Sequence, residues 1–205
     1  MYVPEAFAVP DRAALLGAIA AHPLATLATN GPDGPQATPL PLVAEEGGTA
    51  LLGHFARANP HWRGIDGATA LAVFSGPDAY VTPDWYATKR ETGKVVPTWN
   101  YVTVQARGRV SLLRDPDEAR AAVERLTDAM EASRPAPWAV DDAPARYVDA
   151  MLRGIVAFRM DIASLTGAAK LSQNKSDADR AGVRAGLRAD RPDDPLRAAM
   201  DSLTP

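Results

Sequence analysis

Cysteine is absent from the 205 residues, which removes disulfide scaffolds, thiolate zinc sites, iron–sulfur clusters and cysteine nucleophiles together. Imidazole is nearly as scarce, with His22, His54 and His61 the complete set. His54 and His61 have no acidic ligand at a telling spacing, so no metal site is expected. An excess of charge of one sign is also lacking: Lys+Arg of 22 against Asp+Glu of 25 leaves a formal charge of −3. That gives no general attraction to DNA or to an anionic membrane. Long apolar runs are missing too, since Ala13 to Ala21 is short and broken by glycine. The opening Met1-Tyr2-Val3-Pro4-Glu5 has no basic region ahead of an apolar core. The expectation is a soluble protein with no membrane partner, placed in the cytoplasm by default. The glycine cradles of Rossmann and Walker sites and the Gly-x-Ser-x-Gly elbow are absent as well.

What is present suits a packed globular protein, with 46% apolar and 23% charged residues. Asp11 caps a predicted helix from Arg12 to His22 with Leu15, Leu16 and Ile19 on one stripe. Short β-prone runs follow at Leu24 to Thr29, Pro35 to Ala44 and Thr49 to Phe55, divided by Asn30-Gly31-Pro32-Asp33-Gly34 and Glu45-Glu46-Gly47-Gly48. Thr69 to Ser75, Ala79 to Thr82 and Thr98 to Leu113 read as further strands. Asp115-Pro116-Asp117-Glu118 opens a helix to about Ser133. A second helix spans Pro144 to Arg153, a strand Gly154 to Ile162, and a last helix runs from Ser176-Asp177 to about Ala189. These elements predict one α+β domain over residues 1–190, a small antiparallel barrel with peripheral helices. Residues 191–205 read as a loosely ordered tail, with a frayed short helix from Leu196 to Leu203.

Three polar or aromatic clusters stand out. His54-Phe55-Ala56-Arg57-Ala58-Asn59-Pro60-His61-Trp62 ends a strand with a cation and several donors at one mouth, or is a strand-to-turn junction with a solvated arginine. Tyr80 to Lys89, leading through Lys94 to Tyr101, is rich in aromatics that either wall a flat ligand or fill a barrel end or interface. Lys170-Leu171-Ser172-Gln173-Asn174-Lys175-Ser176-Asp177 either binds an anion at a helix N-terminus or caps that helix through Ser176. The helix then places Arg180, Arg184 and Arg188 four apart, with Val183 and Leu187 docking the opposite side. That basic stripe suits DNA phosphates, a partner's carboxylates or solvent.

These blocks carry a resemblance. Met1-Tyr2-Val3-Pro4, His54-Phe55-Ala56-Arg57-Ala58-Asn59-Pro60, Val96-Pro97-Thr98-Trp99-Asn100-Tyr101, Lys170-Leu171-Ser172-Gln173-Asn174 and Asp179-Arg180-Ala181-Gly182-Val183-Arg184-Ala185-Gly186-Leu187 occur in the family's order. On them the sequence resembles the PaiB family of FMN-binding negative transcriptional regulators. The resemblance implies an FMN-binding split β-barrel, assembled as a homodimer with flavin at the subunit interface. It places Arg57 and Lys89 as cations for the FMN phosphate, with Thr98, Ser172 and Asn174 as donors, and Lys170 among the cofactor-binding residues. His54, Asn59, Trp99, Asn100 and Gln173 would border the ring or ribityl chain. Thr38 to Leu42 would present backbone to the isoalloxazine edge, and because Pro39 and Pro41 lack an N–H, Leu40 and Leu42 are the donors left there. Where the family pattern carries histidines this chain has Asp78 and Gln105, which weighs against a haem role. Two other functions fit the same barrel: an FMN-dependent oxidoreductase resembling flavin reductases, and a dimeric interaction protein whose flavin pocket is vestigial.

Overall fold

The computed structural model describes residues 1–202; Leu203 to Pro205 lie outside the described residues. Strand β1 (Ala8–Val9) precedes helix α1 (Arg12–Ala21), and a meander follows of β2 (Leu24–Gly31), β3 (Gly34–Pro41), β4 (Val43–Ala44) and β5 (Ala50–Ala56). Then come β6 (Thr69–Val81), α2 (Ala87–Thr92), β7 (Thr98–Leu112), α3 (Pro116–Glu131), α4 (Ala145–Arg153), β8 (Ile155–Lys170), α5 (Asp177–Asp190) and α6 (Pro195–Ser202). The strands hydrogen-bond in the order β3-β2-β6-β7-β8-β5-β4, with β1 on β8. The resolved registers are antiparallel, including Leu24↔Pro41 in β2–β3 and Gly53↔Phe158 in β5–β8.

The elements start where local chemistry says they should. Asp115 Oδ1 accepts from the Asp117 and Glu118 N–H groups at 2.8 and 3.4 Å, capping α3 behind Pro116. Ser176 Oγ accepts from Asp179 N at 3.2 Å and caps α5.

β6, β8 and α6 are among the elements that differ from expectation. β6 is one strand, not two, although it contains Gly76-Pro77. Its ladder with β2 ends at Phe74, so Pro77 interrupts no bond on that side. β8 continues eight residues beyond Ile162, through small residues with little β propensity. Its far end is held by a partner remote in sequence, Ala8↔Ala168 and Val9↔Gly167. The tail carries α6, whose Leu196 and Met200 are 0% and 1% exposed.

The chain divides into two compact units, and β6, β7 and β8 each contribute residues to both. One comprises Met1–Asp11, Ser75–Val104 and the chain from Thr166 on. Its core joins Val81, Tyr86, Leu171, Val183, Leu187 and Leu196 with their neighbours. The other comprises Arg12–Phe74 and Gln105–Leu165. Leu15, Ile19, Leu27, Leu42, Phe55 and Phe158 are buried in it, and α3 packs on β4 and β5.

Candidate functional site

In the unit formed by Arg12–Phe74 and Gln105–Leu165, the β2–β3 hairpin and the turn after β5 converge on His61. Thr29 Oγ1 lies 2.7 Å from His61 Nε2, and Thr38 Oγ1 lies 2.8 Å from Nδ1. Asn59 caps the turn Pro60–Gly64, its Oδ1 accepting from His61 N at 3.0 Å while its Nδ2 donates to Thr38 Oγ1 at 3.2 Å. The Phe55 ring meets the imidazole edgewise, with centroids 5.3 Å apart. His61 is 5% exposed, and burial pushes its pKa down, so the ring is held neutral. A neutral imidazole has one N–H and one lone pair. One threonine therefore donates to the ring, while the other accepts from it and keeps its own O–H for a further acceptor. No carboxylate belongs to this network.

Arg57 stands two residues before Asn59. Its Nε and Nη2 donate to the carbonyls of Arg153 and Ile155 at 2.6 and 2.7 Å, anchoring the cation at the C-terminus of α4. Nη1 is left for another acceptor. Arg57, Arg114 and Arg153 line a cavity of about 540 Å³ with Trp62, Leu152 and Ile155. Arg114 pairs with Asp66 at 2.8 Å. Asp115 and Asp149 also line the cavity, Asp115 being committed to the α3 cap.

Other residues expected here are placed differently. Leu42 N donates to Pro23 O at 2.9 Å, and by the parity of the register Leu40 N–H also faces β2, opposite Ala25. Neither is an outward donor. The prolines at 35, 39 and 41 occupy the alternate positions, whose N–H would point away from β2, so the outer edge of β3 is poor in donors. His54 sits on the face of β5 opposite Phe55 and lines a separate pocket with Val123 and Trp138. It is not part of the His61 network.

In the other unit, several expected ligand groups are consumed by the protein itself. Asn100 is fully buried, and its amide exchanges hydrogen bonds with Ser172 Oγ at 2.9 and 3.1 Å. Ser172 takes a left-handed φ of 67°, a conformation that costs a non-glycine residue and is held here by that buried bond. Gln173 spans its own turn, accepting from Leu171 N at 2.7 Å and donating to Ala169 O at 2.5 Å. Lys170 donates to Thr98 Oγ1 at 2.5 Å, and Lys89 pairs with Asp84. Trp99 is 52% exposed and meets Tyr80 edgewise at 6.0 Å, while Asn174 is exposed. The arginines of α5 do not form one open stripe. Arg184 donates to Met200 O at 2.8 Å and lies 3.3 Å from Asp201 on α6, Arg180 is 3.4 Å from Asp177, and Arg188 is exposed.

FMN combines a doubly charged phosphate, a polyol and a flat apolar ring. The donor types of Arg57, Thr38 and Asn59 fit the first two parts; of the three only Arg57 lines the cavity of about 540 Å³, whose size lies within the roughly 300–1,000 Å³ of small-molecule sites. Among the described residues no group of three or more His, Asp or Glu is placed to hold a metal ion. None of their helices is long and apolar enough to cross a membrane.

Residues 1–164 match the protein family described as "Putative FMN-binding domain". The chain is 31% identical to protease synthase and sporulation protein PAI 2 of Bacillus subtilis (strain 168), covering 89% of this chain and 87% of that protein. It is 34% identical to an uncharacterized protein of Aspergillus fumigatus, covering 67% and 65% of the two chains. Among solved structures it is similar to the FAD and heme binding protein of Mycobacterium smegmatis, with TM-score 0.62 and 21% identity over 87% of this chain and 80% of that one. The flavocytochrome Anf3 of Azotobacter vinelandii aligns with TM-score 0.59 and 17% identity, covering 80% and 69%. At these identities the likeness concerns the fold, an antiparallel α+β split barrel.

Proposed function

This chain belongs to the PaiB family of FMN-binding domain proteins, and we propose that it is a homodimer holding FMN at its subunit interface in a regulatory role. FMN is the family's cofactor. The observation that carries the site assignment is the acid-free network of Thr38, His61 and Asn59, with the cation Arg57 two residues before Asn59 in the same turn. Arg57, already fixed by two main-chain carbonyls, offers its remaining guanidinium nitrogen to the phosphate with little further entropy to lose. Asn59 supplies the second N–H of its Nδ2 to the phosphate or ribityl oxygens, and Thr38 its O–H in the tautomer whose Nδ1–H donates to it, while neutral His61 fixes both without adding a charge of its own. When bound, the flavin supplies hydride or electron transfer. The Bacillus relative is named for protease synthesis and sporulation, and a regulatory role of that kind is the reading carried to this chain. Direct DNA contact through α5 has less support, because Arg184 is turned to α6.

The test is FMN titration followed by flavin absorbance at about 450 nm and by fluorescence quenching. Wild-type protein should bind stoichiometrically, one FMN per chain. Thr38→Val should weaken binding about tenfold, the loss of one good hydrogen bond. Arg57→Met should weaken FMN more than riboflavin, which lacks the phosphate. A colourless protein that takes up no added FMN overturns the reading.

A further inference from the structure

The cavity of about 540 Å³ that Arg57 lines is walled mostly by apolar side chains, among them Trp62, Leu112, Leu152, Ile155 and Val156. Five charged residues also line it, Arg57, Arg114, Asp115, Asp149 and Arg153, and three of them are committed elsewhere. Arg57 holds the main-chain carbonyls of Arg153 and Ile155, Arg114 pairs with Asp66, and Asp115 caps α3. Asp149 and Arg153 remain. They stand four residues apart on α4, the spacing at which an acid and an arginine ordinarily pair across one helical turn. Here neither side chain has a hydrogen-bond or ion-pair partner among the described residues. Both are exposed residues that line the cavity, so an acid and a base sit side by side at the rim of an apolar chamber.

A ligand that neutralises both groups carries one charge of each sign close together, and the apolar walls ask for a hydrocarbon body. A carboxylate meets arginine in the planar, two-point geometry that guanidinium favours, and an ammonium meets the aspartate. Heads held at an exposed rim keep part of their hydration while the body enters the cavity. Space is sufficient, since an apolar cavity of about 150 Å³ already accepts a benzene ring. We propose that this cavity is a binding site for a small zwitterion with an apolar body, an α-amino acid with a large hydrocarbon side chain, its ammonium on Asp149 and its carboxylate on Arg153. The site does not depend on the flavin assignment, and it leaves the last nitrogen of Arg57 to the phosphate.

Phenylalanine is the probe, titrated into the full chain and followed by amide NMR, first without FMN and then with FMN in excess. Saturable shifts in α4 with a Kd of about 2 mM or tighter are expected for a ligand of this size. Hydrocinnamate lacks the ammonium and phenethylamine lacks the carboxylate; each should bind roughly two- to fivefold more weakly, the loss of one exposed ion pair. Asp149→Asn should bring phenylalanine down to the hydrocinnamate level without weakening hydrocinnamate. Arg153→Gln should bring it down to the phenethylamine level without weakening phenethylamine. Both positions are exposed, and the amide spectrum of each variant separates a lost site from a lost fold. Absence of saturable phenylalanine binding to the wild-type protein overturns the site, whether or not FMN binds. Displacement of phenylalanine by FMN overturns its separateness from the flavin. Equal affinity for phenylalanine and hydrocinnamate, or an unchanged preference in Asp149→Asn, overturns the zwitterion.

Discussion

His54 and His61 are two imidazoles whose burial holds them neutral, and this ties stability to pH. With pKa values below the ordinary value of about 6.5 in the folded state, the unfolded chain takes up these protons first as pH falls. Stability is therefore complete above about pH 6.5 and declines as pH drops from there through the folded-state values. The urea midpoint should fall between pH 7.5 and 5.5, and His54→Leu should flatten part of that slope; a midpoint constant across the window refutes the assignment. Asp179 acts in a lower window. Burial works to raise its pKa, but hydrogen bonds from Thr88 N and Oγ1, at 2.9 and 2.8 Å, and from Ser176 hold it below the usual carboxylate range. Its contribution is present above the ordinary carboxylate value and is lost as pH falls through the folded-state one. Asp179→Ala should cost about 1–3 kcal/mol at neutral pH, because it strands two Thr88 donors; unfolding curves read this directly.

At the scale of elements, α5 explains why its sequence block is so distinctive. A Cβ at Gly182 would land on the Trp85 carbonyl oxygen, and one at Gly186 on the Trp85 indole. The two glycines, one turn apart, thus let the helix close onto the Pro83–Trp85 turn. Helix propensity alone would favour alanine by about 1 kcal/mol, but overpacking costs about 1–3 kcal/mol. Both Gly→Ala variants should lower the unfolding midpoint, Gly182→Ala more than Gly186→Ala, since backbone yields less readily than a side chain. A gain in stability at either position would contradict the packing. For α6, Leu196→Ala should cost about 2–5 kcal/mol; a negligible loss would mean that the buried Leu196 contributes as little as a loose tail. Caps and turns were legible in the sequence because Asp115-Pro116, Ser176 and Asn30 to Gly34 act within a few residues of themselves. The far half of β8 and the short α2 were not, since β1 and Asp179 hold them from a distance. The site divides in the same way. Arg57, Asn59 and Thr38 are visible as residue types, yet the part His61 plays in joining Thr29 and Thr38 to Asn59 is not, because the two threonines are 32 and 23 residues away in the chain. The direction of the β3 N–H groups could have been read from prolines at alternate positions, which leave the even-numbered residues to pair with β2.

At the scale of the whole molecule, the lack of cysteine leaves this chain no thiol redox chemistry of its own, and the lack of a glycine cradle leaves phosphate recognition to side chains. A cofactor held in this way must be visible in the stability of the protein, since whatever binds the folded chain and not the unfolded one shifts the balance by mass action. Free FMN at about 100 times its Kd adds about 2.7 kcal/mol. For a chain of about this length each kcal/mol is worth roughly 2–4 °C in Tm, so FMN should raise the melting temperature by about 5–10 °C. Riboflavin at equal concentration should raise it less, the difference reporting the phosphate contact, and Arg57→Met should erase most of that difference while keeping a riboflavin shift. Light scattering on the same samples should give twice the 21.7 kDa chain mass. A monomer that nevertheless shows the full FMN shift would place the flavin site within one chain and refute the interface. A dimer whose Tm ignores FMN at every concentration would instead keep the proposed assembly and refute the flavin site.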